Sequence, residues 1–199
     1  MSKLYYIMGK SATGKDHIYE MLLSDPSLGL KPFVIYTTRP MRKNEEDGRE
    51  YFFRDQDFLE QQRAAGKIIE ERLYHTVQGP WYYFTADDGQ ITDGGSDDHL
   101  GIGTLESYCK LVRYFGADKL VPLYIETGDG FRIERALKRE KKQENPDYRE
   151  MCRRFLADSE DFSEDKLEKA GIRKRFQNND TTLEEVAGEI RKYILSEKA

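Results

Sequence analysis

Gly9-Lys10-Ser11-Ala12-Thr13-Gly14-Lys15 is a loop framed by two glycines with four residues between them and closed by a lysine. That spacing suits phosphate chemistry. Gly9 lets the chain leave a strand at a sharp angle, and Gly14 lets bare backbone approach phosphate oxygens closely. Amides from about Ala12 to Asp16 then point into the loop at the positive end of a following helix. Lys15 supplies a mobile charge for β- and γ-phosphates. The pattern carries this meaning only between a strand and a helix. Both are present: Leu4–Met8 is an apolar run, and Lys15–Leu23 is an amphipathic stretch stopped by Asp25-Pro26. The ligand this fits is ATP or GTP, with Gly9 through His17 lining the site. Asp16 stands where such loops usually carry a Ser or Thr hydroxyl for magnesium. It is a hard oxygen donor in the same place, so it is the expected Mg2+ ligand.

A second anion site is suggested by Thr37-Thr38-Arg39-Pro40-Met41-Arg42, followed by Glu45, Gly48 and Tyr51. Arg39 and Arg42 lie on a proline-containing segment that cannot be a regular helix. Two planar guanidiniums and a phenol suit a terminal phosphate gripped through charge-assisted bonds. Composition alone leaves a solvated charged loop equally open, because Glu45, Glu46 and Asp47 follow directly.

These groups need elements to position them. Strands and helices alternate along the chain: strands at Leu4–Met8 and Phe33–Tyr36, a short strand at Glu50–Phe53, a helix at Gln56–Ala65, then strands at Lys67–Leu73 and Trp81–Thr85. Ala86–His99 holds five aspartates and three glycines without Lys or Arg, and reads as a solvated acidic loop. It lacks the alternating register of a calcium loop. Leu105–Phe115 reads as a helix, Leu120–Ile125 as a buried strand, Gly130–Lys142 and Tyr148–Phe162 as helices, and Lys174–Gln177 as a last strand. Leu183, Val186, Ala187, Ile190 and Ile194 form a helical stripe opened by a capping box from Thr182 to Glu185. Such alternation implies a mostly parallel sheet with helices on both faces, with ligands at the carboxyl ends of the strands. The β-rich patch between Glu50 and Thr85 reads as an inserted substrate lobe.

Composition bounds the partners. At 199 residues the chain can hold one core with small mobile segments. A net charge of −5 argues against bulk nucleic-acid or membrane binding, and no apolar run approaches a membrane span. Cys109 and Cys152 lack ligand spacing and read as reduced packing residues; with no signal segment, a cytoplasmic protein is expected.

TTRPMRKNEEDGREYFF resembles the GMP-binding segment of guanylate kinases, whose pattern runs T-T-R-x-x-R-x-x-E-x-x-G-x-x-Y-x-F. The resemblance is dense over residues 4–85 and carries over Arg39, Arg42, Glu45 and Tyr51, with the arginines and tyrosine on the phosphate of a nucleoside monophosphate. It implies that Glu70 reads guanine N1–H and the 2-amino group, that Tyr83 reaches the phosphate, and that the Thr85 hydroxyl reaches the base. Beyond residue 85 it is looser. It places Arg135, Arg139 and Arg154 among lid and core arginines, in a segment, Arg132–Arg154, with nine basic residues against five acids. It sets Asn178 beside the adenine of ATP. Ile35 stands where the family usually has a serine, Phe84 and Asn44 where it has glycines, and Gly101 and Gly103 where a family strand carries aspartates.

The resemblance implies a P-loop three-layer α/β/α fold in one domain spanning residues 1–199. Its core is 1–34 and 100–199, with a nucleoside-monophosphate lobe over 35–86, an acidic loop over 87–99 and a lid over about 138–152. It implies transfer of the ATP γ-phosphoryl to GMP with Mg2+, Lys15, Arg39, Arg139 and Arg154 acting on the phosphates, by a monomer or homodimer. A kinase for another nucleoside monophosphate, and a related binding module without catalysis, are the rival expectations.

Overall fold

The computed structural model describes residues 2–76, 79–92 and 95–198. Its central sheet is parallel throughout. Strand β2 (Lys31–Pro32), β7 (His99–Gly103), β1 (Leu4–Met8), β8 (Leu120–Glu126) and β9 (Arg175–Gln177) lie in that spatial order. β1 is flanked on both sides, so all five of its residues are buried. Its alternation divides the core in two. Tyr5 and Ile7 face one layer with Ile18 and Leu22 of helix α1 (Lys15–Leu23) and Val186, Ile190 and Ile194 of α7 (Leu183–Lys198). Leu4, Tyr6 and Met8 face the other, with Leu105, Tyr108 and Leu111 of α3 (Leu105–Phe115). That is the three-layer arrangement expected, because each sheet face must bury its apolar side against helices.

Helix starts follow side-chain chemistry. Thr104 caps α3 reciprocally with Ser107, and Asp55 accepts from the Phe58 amide to open α2 (Gln56–Ala64). The expected Thr182/Glu185 box is present: Glu185 accepts from the Thr182 amide at 2.8 Å, and the Thr182 hydroxyl accepts from the Glu185 amide at 3.2 Å. Helices α4 (Asp129–Glu140) and α5 (Tyr148–Asp161) lie within two residues of expectation.

A second sheet stands apart from the first. It consists of β4 (Phe52–Phe53), β3 (Tyr36–Thr37), β6 (Gly79–Ala86) and β5 (Ile68–Thr76) in that order, with β6 antiparallel to β3 and β5. Tyr36, Leu59, Phe84 and Ala86 form its own small core.

Two expectations need correction. The single strand expected over Phe33–Tyr36 is divided: the chain pairs with β7 through Lys31–Pro32, crosses at Phe33–Ile35, and joins the second sheet at Tyr36. In the crossing the Val34 amide and carbonyl bond to the Gln90 side chain instead of a neighbouring strand. A short helix, α6 (Glu164–Lys169), follows α5 where none was expected. The acidic segment is the expected solvated loop, with Asp87, Asp88 and Asp97 exposed, and it is also pinned to the protein. Asp87 accepts from the Tyr114 hydroxyl and Asp88 from the Tyr36 hydroxyl, while Asp97 pairs with Lys31 and Asp98 with Lys198. Asp93 of that stretch lies outside the described residues.

Tyr6 accounts for the glycines of β7. A Cβ on Gly103 would lie 2.1 Å from the Tyr6 hydroxyl oxygen, and one on Gly101 would lie 2.7 Å from its ring. The hydroxyl is in turn hydrogen-bonded to Ser107 at 2.7 Å. Gly103→Ala is therefore expected to destabilise by about 1–3 kcal/mol in urea melts, and Tyr6→Phe in the same background should recover part of the loss. A Gly103→Ala protein that melts like the parent would contradict this packing.

Candidate active site: a phosphate loop beside a guanidinium clamp

The glycine-framed loop leaves β1 and enters α1 as the spacing requires. A Cβ on Gly9 would sit 2.7 Å from the Ile125 carbonyl oxygen, so only glycine passes the end of β8 there. Gly14 caps α1 in the left-handed region at φ 83°, and Ala12 also lies there at φ 64°. Asn178 is buried behind the loop and donates to the Thr13 carbonyl at 2.7 Å. Lys15 is half-buried at the first helical position, while Asp16 and His17 are exposed.

The loop is also tied to the helices beyond it, through residues the sequence did not single out. Arg132 of α4 is 1% exposed. Its guanidinium donates to the Ser11 carbonyl at 3.1 Å, to Asp129 at 2.7 Å and to Asp158 of α5 at 2.9 Å. It also lies over the Phe155 ring at 4.6 Å. Asp158 accepts from the Ser11 amide at 2.7 Å, closing the network. The Asp129/Arg132 spacing of one helical turn is visible in the sequence. Nothing in the sequence marked Asp158.

Arg135, Lys138, Arg139 and Lys142 line a shallow cleft of about 280 Å³ on α4 and the turn after it, with Arg135 donating to the Asn179 carbonyl at 2.7 Å. Glu140 is buried and closes the following turn by accepting from the Asp147 amide and the Gln143 side chain. Arg139 is exposed. Arg154 is 57% exposed and pairs with Glu150 on its own helix at 2.8 Å. Arg132 is thus the α4 arginine that touches the loop in this conformation.

The second cluster forms on the 37–51 segment and the β5–β6 hairpin. Arg39 is 4% exposed and meets Glu45 with two parallel bonds of 2.7 and 2.6 Å. Its guanidinium lies 5.0 Å from the Tyr51 ring centre and 5.2 Å from that of Phe53. Glu45 also accepts from the Arg42 amide at 2.8 Å, which shapes the turn; the Arg42 side chain is exposed. The Arg39 bonds hold the Glu45 carboxyl well below its ordinary range, at about 2. Glu45 therefore acts by positioning Arg39. Tyr83 packs edge-on against Tyr51 and lies close enough to Arg39 to favour its charge.

A bulge sets the hairpin's polar face. Register shifts between Ile68 and Glu70, after which Glu70 pairs with Thr85, Arg72 with Tyr83, and Tyr74 with Trp81. Alternation then places Glu70, Arg72, Thr85 and Tyr83 on one face, while Phe84 packs into the small core on the other. The Thr85 hydroxyl donates to Glu70 Oε1 at 3.0 Å. Arg72, absent from the sequence reading, donates to both Glu70 oxygens at 3.2 and 3.3 Å. The Glu70 side chain is wholly shielded from solvent. Tyr6 of β1 lies within electrostatic range of Glu70, Arg72 and Tyr51, and burial pushes its hydroxyl up to about 12. The hairpin face thus meets the strand that feeds the phosphate loop.

Metal chemistry is constrained as well. Among the described residues, no cluster of three or more His, Cys, Asp or Glu could hold a metal ion. Glu126, at the end of β8, is paired with Arg175 at 2.8 Å and with Gln177. Asp16, exposed beside Lys15, fits an ion that takes one carboxylate, phosphate oxygens and water.

Comparison with known proteins agrees with this geometry. Residues 1–88 match the family model described as guanylate kinase. A guanylate kinase of Porphyromonas gingivalis is 35% identical over 85 residues, 43% of this chain and 44% of that protein. One of Thiobacillus denitrificans is 36% identical over 96 residues, 47% of this chain and 44% of that protein. The match to these curated relatives spans less than half of their length. A crystal structure of guanylate kinase from Anaplasma phagocytophilum superposes with a TM-score of 0.63 at 17% identity, covering 98% of this chain and 86% of the other. The guanylate kinase family resemblance is therefore carried in sequence by residues 1–88, and the chain as a whole has the guanylate kinase fold.

Proposed function

We propose that this chain transfers the γ-phosphoryl group of ATP to the phosphate of GMP, giving ADP and GDP. The carrying observation is the Arg39–Glu45 clamp, walled by Tyr51 and Tyr83, in a segment that matches the family model. Phosphoryl transfer of this kind needs little covalent help, so the protein's contribution is positioning and charge neutralisation. Gly9 through His17 hold the donor phosphates, with Lys15 on the β- and γ-oxygens and Asn178 fixing the loop from behind. Arg39 retains donors beyond those spent on Glu45, and with Arg42, Tyr51 and Tyr83 it holds the acceptor phosphate. Glu70, Thr85 and Arg72 form the base end. Mg2+, held by Asp16 and the donor phosphates, would supply charge neutralisation there.

Residues 35–86 act as the monophosphate lobe, 87–99 as a strap beneath it, and about 138–152 as a lid. Closure would carry Arg139 and Arg154 toward the transferring group and exclude water. The proposed setting is cytoplasmic, as a monomer or homodimer acting on nucleotides and on neither nucleic acid nor membrane. No described helix is long and apolar enough to cross a membrane.

ADP production with ATP should depend on added GMP. Lys15→Ala and Arg39→Ala should each lower it by at least about 100-fold. ADP release indifferent to GMP, or unchanged in Lys15→Ala, would overturn the assignment. Asp16→Ala should weaken the magnesium dependence of turnover, and an unchanged magnesium titration would remove Asp16 from the site.

Acid tests the clamp separately. Glu45 has a folded value of about 2 against an ordinary 4.5, so its contribution to stability is fully present above pH about 4.5 and is lost as pH falls through about 2. Glu45→Ala should cost about 3 kcal/mol at pH 7, because it strands a buried guanidinium. The gap between the two proteins should narrow as denaturant melts are moved toward pH 2. A gap independent of pH would contradict the pairing.

A further inference from the structure

Resting on the reading of this site as an oxopurine monophosphate acceptor, we propose that Arg72, backed by Glu70, is the group that reads the base. The two residues stand two apart on one face of β5, opposite Thr85 and Tyr83. The Glu70 carboxylate has about four lone-pair positions. Thr85 and one Arg72 N–H take both positions on Oε1, and a second Arg72 N–H takes one on Oε2. The Glu70 side chain is wholly shielded, whereas Arg72 retains 12% exposure. A base arriving on this face therefore meets a guanidinium before it meets a carboxylate. Burial opposes the Arg72 charge, and the Glu70 carboxylate with its hydrogen bonds outweighs that and keeps it ionised.

This changes what is recognised. A guanidinium offers five N–H donors, and the three not spent on Glu70 carry no hydrogen bond among the described residues. Such a fork matches two adjacent acceptors, which guanine supplies at O6 and N7. Hypoxanthine presents the same two. Adenine replaces the carbonyl with an amino donor, which would face the guanidinium unpaired and is rejected. The 2-amino group of guanine, the one feature separating GMP from IMP, finds no exposed acceptor here, because the one position left on Glu70 Oε2 is shielded from solvent beside Arg72. The site is thus selective for a 6-oxopurine and indifferent to the 2-position. Removing Arg72 would uncover Glu70 and restore two acceptor oxygens, one for N1–H and one for the 2-amino group.

The test is calorimetric binding of GMP, IMP and AMP to the full chain and to Arg72→Ala, alongside phosphoryl transfer from ATP to each. Arg72→Met, which keeps the apolar stem, serves if Arg72→Ala does not fold. In the parent protein GMP and IMP should bind within about threefold of each other and AMP far more weakly. In the variant the preference for GMP over IMP should rise by about 10- to 100-fold, the worth of one hydrogen bond to a charged group. A smaller rise, a parent that already prefers GMP to IMP tenfold, or a parent that binds neither, overturns the proposal. Expected binding ratios without phosphoryl transfer would instead leave this proposal standing and overturn the kinase reading.

Discussion

Arg39 keeps its charge at 4% exposure, which is costly without an anion beside it, and Glu45 is that anion. Around this requirement the 37–51 segment takes its shape. Glu45 reaches back to accept from the Arg42 amide, Pro40 gives its carbonyl to Arg39, and Tyr51 and Phe53 supply ring faces to the guanidinium. The result is a cation held on several sides, with the hairpin side chain Tyr83 close by. A phosphate bound there, as proposed, would meet a charge already held in place, so little ordering would be left to be done on binding.

Two cations are handled by one device. Arg132 is as buried as Arg39, and it too is held by carboxylates, Asp129 and Asp158, in contact with an aromatic ring. There the spare donor goes to the Ser11 carbonyl, so the charge braces the phosphate loop from the helical side. Since Asp158 also takes the Ser11 amide, α4, α5 and the loop form one unit. Both helices are thereby tied to the backbone of the glycine-framed loop.

Much of this was legible in the sequence, for identifiable reasons. β1 and α1 follow the expected bounds, because an apolar run, a glycine-framed turn and an amphipathic stretch each have one geometric solution. α3 was equally plain from its apolar spacing. The crossing at Phe33–Ile35 was not, because both sheets offer that apolar run a buried place and periodicity does not say which. The short helix α6 carries one buried apolar residue, Leu167, too little for a helical pattern. At the site, Arg39, Glu45, Tyr51, Glu70, Tyr83 and Thr85 were named from the sequence, and the structure gathers them on and beside one hairpin face. Arg72 was missed although it shares that face two residues from Glu70; once a bulge was allowed at Ile68–Glu70, strand alternation would have found it. Asp158 depends on how α5 packs, which no local pattern encodes.

Direct transfer between two nucleotides requires one cleft holding two phosphate-bearing ligands at once. The most direct measurement is the affinity of a single molecule in which adenosine and guanosine are joined through a chain of phosphates. If the loop and the clamp share a cleft, that compound should bind far more tightly than ATP or GMP alone, because the second contact becomes intramolecular, and both nucleotides should compete with it. Affinity no better than that of the tighter nucleotide, with competition by only one of them, would show that the two sites do not face each other.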